Sequence, residues 1–181
     1  MRFAQIRSMD ISNGEGVGVS LFVQGCDRHC FNCFNSETWN FNGGKEWTEE
    51  TKNKFMELID RPYIRRISIL GGEPLAEQNL NDILSLVKEI RILYPEKTIW
   101  SYTGYQWEQI MLPIPTITDD LHTIEITDKR KKIISNVNVL VDGEYIDEQK
   151  DLTLKFKGSK NQRVIDVQQS LAQNKIILYC D

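Results

Sequence analysis

Residues 17–33 read VGVSLFVQG followed by CDRHCFNC, a run of β-branched and apolar residues that ends at three cysteines spaced C-x₃-C-x₂-C. The apolar half has the composition and length of a buried strand. Working outward, WTEETKNKFMELID (47–60) reads as a helix. Thr48 can cap it, Glu49 and Glu50 suit its positive end, and Phe55, Leu58 and Ile59 form one face. RRISILGGEP (65–74) is a short buried strand ended by glycines, and Leu80, Ile83, Leu84, Val87 and Ile90 mark a helix running to about Leu93. TIWSY (98–102) and NVNVLVDG (136–143) are further strands, with a weak helix after Gly104. In 111–135, Pro113, Pro115 and the charged run DKRKK (128–132) suggest a loop or irregular insertion. The tail carries KFKGSKNQRVIDV (155–167), a short helix and a last strand at KIILY (175–179).

Alternation of strands and helices argues for an α/β protein with a mostly parallel sheet. A complete eight-fold barrel takes about 250 residues. A chain of 181 residues is therefore expected to form an incomplete TIM-like (βα) barrel or an open sheet, with 1–181 as a single domain. The cysteine run, GGEP, SYTGY and VDGEY each begin where a strand is expected to end. In parallel α/β folds that edge binds ligands, so the four motifs are expected to converge on one site.

Composition narrows the class further. Hydrophobic residues make up 40% and charged residues 27%, and the net charge is −4. That balance gives no blanket attraction to nucleic acid or anionic membranes. No apolar run has the length of a membrane span, and MRFAQIRSMD lacks a signal peptide's hydrophobic region. A cytoplasmic, reducing compartment is the expectation, where clustered cysteines bind metal or do chemistry more often than they form disulfides.

Structural zinc takes four protein ligands, usually in two paired sets. Here there is no second C-x₂-C, though His29 or Cys180 could complete such a site. A 4Fe–4S cubane offers four irons, each wanting an external ligand that thiolates usually supply. Three thiolates leave one iron open to a substrate.

C-x₃-C-x₂-C after the first strand, with GGEP after the next, resembles the signature of radical S-adenosylmethionine enzymes. GCDRHCFNCFNSETWNF (25–41), SILGGEPL (68–75), IWSYTGY (99–105), NVLVDGEY (138–145) and GSKNQRVID (158–166) are similar, in order, to the family that activates the anaerobic ribonucleoside-triphosphate reductase. The resemblance implies that Cys26, Cys30 and Cys33 ligate one 4Fe–4S cluster whose open iron chelates S-adenosyl-L-methionine. It further implies reductive cleavage to methionine and a 5′-deoxyadenosyl radical, which takes a hydrogen atom from a glycine of the large reductase subunit. Flavodoxin or a ferredoxin-type protein would supply the electron. By the same resemblance Gly71, Gly72 and Glu73 meet the methionine ammonium, and backbone at Asn32, Cys33 and Phe34 borders the adenine. Many enzymes of the superfamily carry an aromatic before the third cysteine; this chain has Asn32.

The plainer alternatives stand beside these. GGEP suits an ordinary strand-ending turn, Asp142–Gly143 another, and Tyr102, Thr103 and Tyr105 could pack as well as line a pocket. Trp39 and Trp47 could shield the cysteines or simply pack. Residues 129–132 suit a solvated face, and the polar stretch from Gly158 to Arg163 could meet a partner. Three classes stay open on the residues: this activase, another small radical enzyme (an activase of a different glycyl-radical protein, or a nucleoside-modifying enzyme), and a zinc module. A valine at Gly72 is expected to weaken cofactor binding while leaving iron content near normal.

Overall fold

The computed structural model describes residues 1–181 apart from 114, 115, 117, 118 and 181. Among the described residues, eight strands form one sheet: β1 (Arg2–Asp10), β2 (Gly18–Val23), β3 (Lys45–Glu46), β4 (Arg66–Gly71), β5 (Thr98–Tyr102), β6 (Val139–Asp142), β7 (Arg163–Asp166) and β8 (Leu178–Cys180). Their order is β3-β1-β2-β4-β5-β6-β7-β8. The centre, β2-β4-β5-β6, is parallel, and both flanks are antiparallel. The α/β class and the parallel centre are as the sequence suggested. The order runs from β3 at one edge to β8 at the other, and no pairing among the described residues closes it.

Among the described residues, five α-helices accompany the sheet: α1 (Glu49–Asp60), α2 (Leu80–Leu93), α3 (Trp107–Met111), α4 (Leu121–Ser135) and α5 (Val167–Gln173). The expected cap of α1 is present, with Thr48 Oγ1 accepting from the Thr51 N–H at 3.2 Å. Because side chains alternate across a strand, one face of the sheet carries Leu21, Ile67, Ile69, Ile99, Leu140 and Ile165. These pack under Phe55 and Ile59 of α1, Ile83, Val87 and Ile90 of α2, and Ile133 and Ile134 of α4. The opposite face carries Ser20, Phe22, Ser68, Leu70, Trp100, Tyr102, Val139, Val141 and Val164, and Trp100, Val139, Val141 and Val164 form a second, smaller apolar cluster. Helices cover the first face; the second is left for the site.

Two expectations need correction. The strand that leads to the cysteines is the second, since Arg2–Asp10 already pairs with it antiparallel. Register shifts between Phe3 and Gln5 and between Arg7 and Asp10 break the alternation that would have shown β1 in the sequence. Residues 111–135 are not simply an irregular insertion. Pro115 lies outside the described residues, but Asp120 caps α4 by accepting from the Thr123 N–H at 2.7 Å. Ion pairs Glu125–Lys129 and Asp128–Lys132, each four residues apart, support the exposed side of α4. Its apolar contribution is concentrated in the last turn, so helical periodicity was weak.

The end of the sheet opposite the cysteines is tied by Asp10 and Arg66, both buried. Arg66 Nη2 donates to the Asp10 backbone oxygen at 2.7 Å and to its carboxylate at 3.3 Å. Burial pushes the Asp10 carboxyl up, but the backbone N–H and side-chain amide of Asn13 and the Ser12 N–H outweigh it and bring the value down to about 2. The folded-state value lies below the ordinary 3.8, so the charged carboxylate stabilises the fold above pH 4. That contribution, on the order of 2 kcal/mol, is lost as pH falls from about 4 to about 2. Urea unfolding across this range should show a decline in stability that Asp10→Asn flattens; an unaltered slope in the variant would place the acid sensitivity elsewhere.

Candidate functional site

The C-terminal edge of the parallel strands opens onto a cavity of about 520 Å³. Cys26, Cys30 and Cys33 line it together with Gly71, Gly72, Glu73, Tyr102, Thr103, Gly104 and Gly143. The four motifs that follow β2, β4, β5 and β6 thus meet at one place.

The cysteine loop is wound tightly. His29 and Asn32 take left-handed backbone, with φ of 50° and 54°. The Cys33 N–H closes a turn on the Cys30 carbonyl at 3.1 Å, and the loop's start is held by Cys26 N–H donating to the Trp39 carbonyl at 3.1 Å. Each sulfur faces a backbone donor: Arg28 and His29 at Cys26, Tyr145 at Cys30, and Asn35 at Cys33, the last at 3.4 Å. Such N–H···S contacts favour thiolate and are among the features that tune iron–sulfur centres. Burial pushes the Cys26 thiol up to about 11 and raises Cys30 as well, so metal must displace protons when it binds. Among the described residues no three His, Cys, Asp or Glu side chains converge on a single-ion position. The three thiols line one cavity. Three sulfurs with backbone donors fit a 4Fe–4S cluster.

The GGEP turn abuts this loop. Gly71 has φ 106°, a region that L side chains rarely adopt. A Cβ on Gly72 would stand 2.4 Å from the Gly25 carbonyl oxygen. The close approach that requires glycine here is therefore to the backbone just before Cys26. This replaces the expectation that a side chain at Gly72 would chiefly disturb bound cofactor. Glu73 is buried. Its Oε1 accepts from the Leu75 N–H at 2.9 Å and the Thr103 hydroxyl at 2.7 Å, and its Oε2 from the Gly104 N–H at 2.8 Å. Burial pushes its carboxyl up, opposed by those donors and by Arg28. Glu73 thus locks the end of β4 to the end of β5 beside the cavity.

Of the residues expected at an adenine, Cys33 and Phe34 line the cavity, whereas the Asn32 side chain is exposed and donates to Asp147 at 2.9 Å. Trp39 lines the cavity and stacks on His29 at 4.7 Å; Trp47 packs between Phe3 and Phe55 instead. The polar stretch at 158–163 turns inward. Gln162 accepts from the Gly158 and Ser159 N–H groups and donates to the Gly143 carbonyl, and Asn161 donates to the Glu144 carbonyl. It fastens the segment after β6 across the cavity, bringing Tyr145 and Phe156 to its wall. Tyr145 closes the VDGEY motif, whereas Phe156 belongs to none of the four motifs. Arg28, inside the cysteine motif, also lines the cavity, a role its place in the motif did not indicate. Buried polar atoms of three lining residues, Arg28 Nε, Trp39 Nε1 and Tyr102 Oη, have no protein partner. Unpaired donors on a cavity wall suit a polar ligand.

Fold and site together define an iron–sulfur protein of the 4Fe-4S single cluster domain class, whose family model matches residues 12–165. Over 166 residues, 91% of this chain, it is 37% identical to the anaerobic ribonucleoside-triphosphate reductase-activating protein of Salmonella typhi, covering 97% of that protein. It is 36% identical to the protein of that name from Escherichia coli K12, with the same coverage, and 34% to that of Enterobacteria phage T4, of which it covers 93%. The chain belongs to the family of anaerobic ribonucleoside-triphosphate reductase-activating proteins.

Proposed function

We propose that this chain, as one radical S-adenosylmethionine domain spanning 1–181, activates the anaerobic ribonucleoside-triphosphate reductase by generating a glycyl radical on it. The observation that carries the reading is the shared cavity of Cys26, Cys30, Cys33 and the Gly71–Glu73 turn, in a chain of this family. Cys26, Cys30 and Cys33 hold the 4Fe–4S cluster, and the sheet is the incomplete barrel of such enzymes. When bound, cluster and S-adenosyl-L-methionine supply one-electron cleavage of the sulfonium and a carbon radical able to take hydrogen from glycine. The chain's own residues do the placing. Gly71 and Gly72 keep the wall beside the cysteine loop low, Glu73 offers carboxyl oxygens to an ammonium, and Cys33 and Phe34 offer an edge and a ring to the adenine. The segment after β6, with Tyr145 and Phe156, limits water at the reacting atoms.

No helix among the described residues is long and apolar enough to cross a membrane. On the proposed reading the enzyme works in the cytoplasm, with flavodoxin or a ferredoxin-type protein as electron donor. The test is electron paramagnetic resonance on reduced enzyme, S-adenosylmethionine and the reductase carrying glycine deuterated at Cα. A carbon-centred signal should appear only when the reductase is present, with deuterium recovered in 5′-deoxyadenosine. Deoxyadenosine without deuterium, and no signal on the reductase, would point instead to a small-molecule radical enzyme.

A further inference from the structure

We propose that Arg28, between the first two cysteines, is a positioning residue that holds the cysteine loop in its cluster-binding shape through a stack on Tyr105. The inference rests on the reading of Cys26, Cys30 and Cys33 as cluster ligands.

The Arg28 guanidinium lies 3.8 Å from the centre of the Tyr105 ring, and its Nη1 donates to Glu144 at 2.8 Å. One side chain therefore joins the loop after β2 to the segments after β5 and β6. Room for its stem depends on Gly104, where a Cβ would stand 3.1 Å from Arg28 Cγ. Tyr105 is in turn fixed by α4. The Arg130 guanidinium also lies over its ring at 4.3 Å, its Nη2 donates to the tyrosine hydroxyl at 2.7 Å, and its Nε donates to the Leu75 carbonyl at 3.0 Å. Leu75 directly follows the GGEP turn. Arg28, Tyr105 and Arg130 thus link all four motif-bearing strand ends, and connect the charged helix α4 to the cysteine loop.

A surface ion pair is the plainer account of Arg28–Glu144, and exposed pairs of that kind contribute little. Two observations favour more. The Arg28 side chain is only 20% exposed, and its Nε is buried without an acceptor. Planar stacking on a ring, which lysine cannot reproduce, is what this position uses. Groups that orient metal ligands without touching the metal commonly change metal retention about 10- to 100-fold when removed.

The experiment reconstitutes wild type, Arg28→Ala, Arg28→Lys, Tyr105→Leu and Glu144→Gln anaerobically. It measures iron retained under chelator challenge, the spectrum and midpoint potential of the reduced cluster, and the melting temperature of each metal-free protein. Arg28→Ala should retain iron about tenfold less well at a near-normal metal-free melting temperature, and its cluster should become harder to reduce as a nearby positive charge is lost. Arg28→Lys should restore the potential but not the retention, and Tyr105→Leu should lose retention with Arg28 intact. Glu144→Gln should have the smallest effect. If Arg28→Ala does not fold, Arg28→Lys decides between stack and charge. Wild-type retention and spectrum in both Arg28 variants would overturn the inference while leaving the ligand assignment standing. A wild-type protein that takes up no iron would overturn the ligand assignment itself, and this inference with it.

Discussion

Replacing any one of Cys26, Cys30 and Cys33 with alanine should abolish cluster assembly and S-adenosylmethionine cleavage, while Cys180→Ala should change neither. The three line one cavity, and the motif offers no spare thiolate. Cys180 sits in the β7–β8 ladder opposite Val164 and packs with the small apolar cluster of Trp100, Val139, Val141 and Val164. The loss should be chemical and not a failure to fold. Removing one sulfur from this loop costs on the order of 1 kcal/mol, a small part of a typical domain's stability. The measurement is iron and acid-labile sulfide per chain after anaerobic reconstitution, beside methionine and 5′-deoxyadenosine formed with a chemical reductant. Circular dichroism should show an unchanged metal-free fold. Normal iron in a Cys30→Ala protein, or loss of metal in Cys180→Ala, would remove this ligand set.

How far the residues alone reach can be argued from particular positions. The strand over 18–23 was legible as a continuous apolar run, and α1 and α2 because burial on one face stamps a period on the sequence, with Thr48 marking its own helix start. The convergence of four motifs followed from a rule about parallel sheets, so the site could be placed before any coordinate was known. What escaped has physical causes. The N-terminal strand is bulged and faces solvent along much of its length. Helix α4 draws its exposed-side support from charge pairs and buries fully only Ile133 and Ile134 in its last turn. Arg130 was read as part of a solvated run, yet it is the one residue of that run that turns inward to Tyr105 and Leu75. A charged residue in a charged run carries no sign of which way it points. Arg28 and Gln162 were hidden likewise: Glu144 lies 116 positions from the first and Gly143 lies 19 from the second, and only the fold brings them together.

Gly72→Val should lose iron and cofactor binding together, with a lowered melting temperature. Two readings of this glycine compete. If it were glycine only to let bound methionine approach, a side chain would spare the cluster. Its neighbour across the gap is, however, the Gly25 backbone, with the carbonyl oxygen 2.4 Å and the carbonyl carbon 2.9 Å from where a Cβ would stand. That oxygen cannot swing aside freely, because it accepts the Glu73 N–H at 2.7 Å. Gly25 in turn is pinned by its own N–H to the Thr38 carbonyl at 2.7 Å, and Cys26 follows directly. A Cβ must therefore push the first cluster ligand away from the other two, or break the β4 turn. Overpacking of this kind costs about 1–3 kcal/mol, more where backbone must move. Gly72→Ala already introduces the clashing atom, so it should show most of the effect; valine adds bulk, with a further drop in iron retention. Iron per chain, cofactor affinity by equilibrium dialysis and thermal unfolding of the metal-free protein separate the readings. Normal iron with cofactor binding alone impaired in both variants would return Gly72 to the role of a cofactor contact and break the proposed link between the GGEP turn and the cysteine loop.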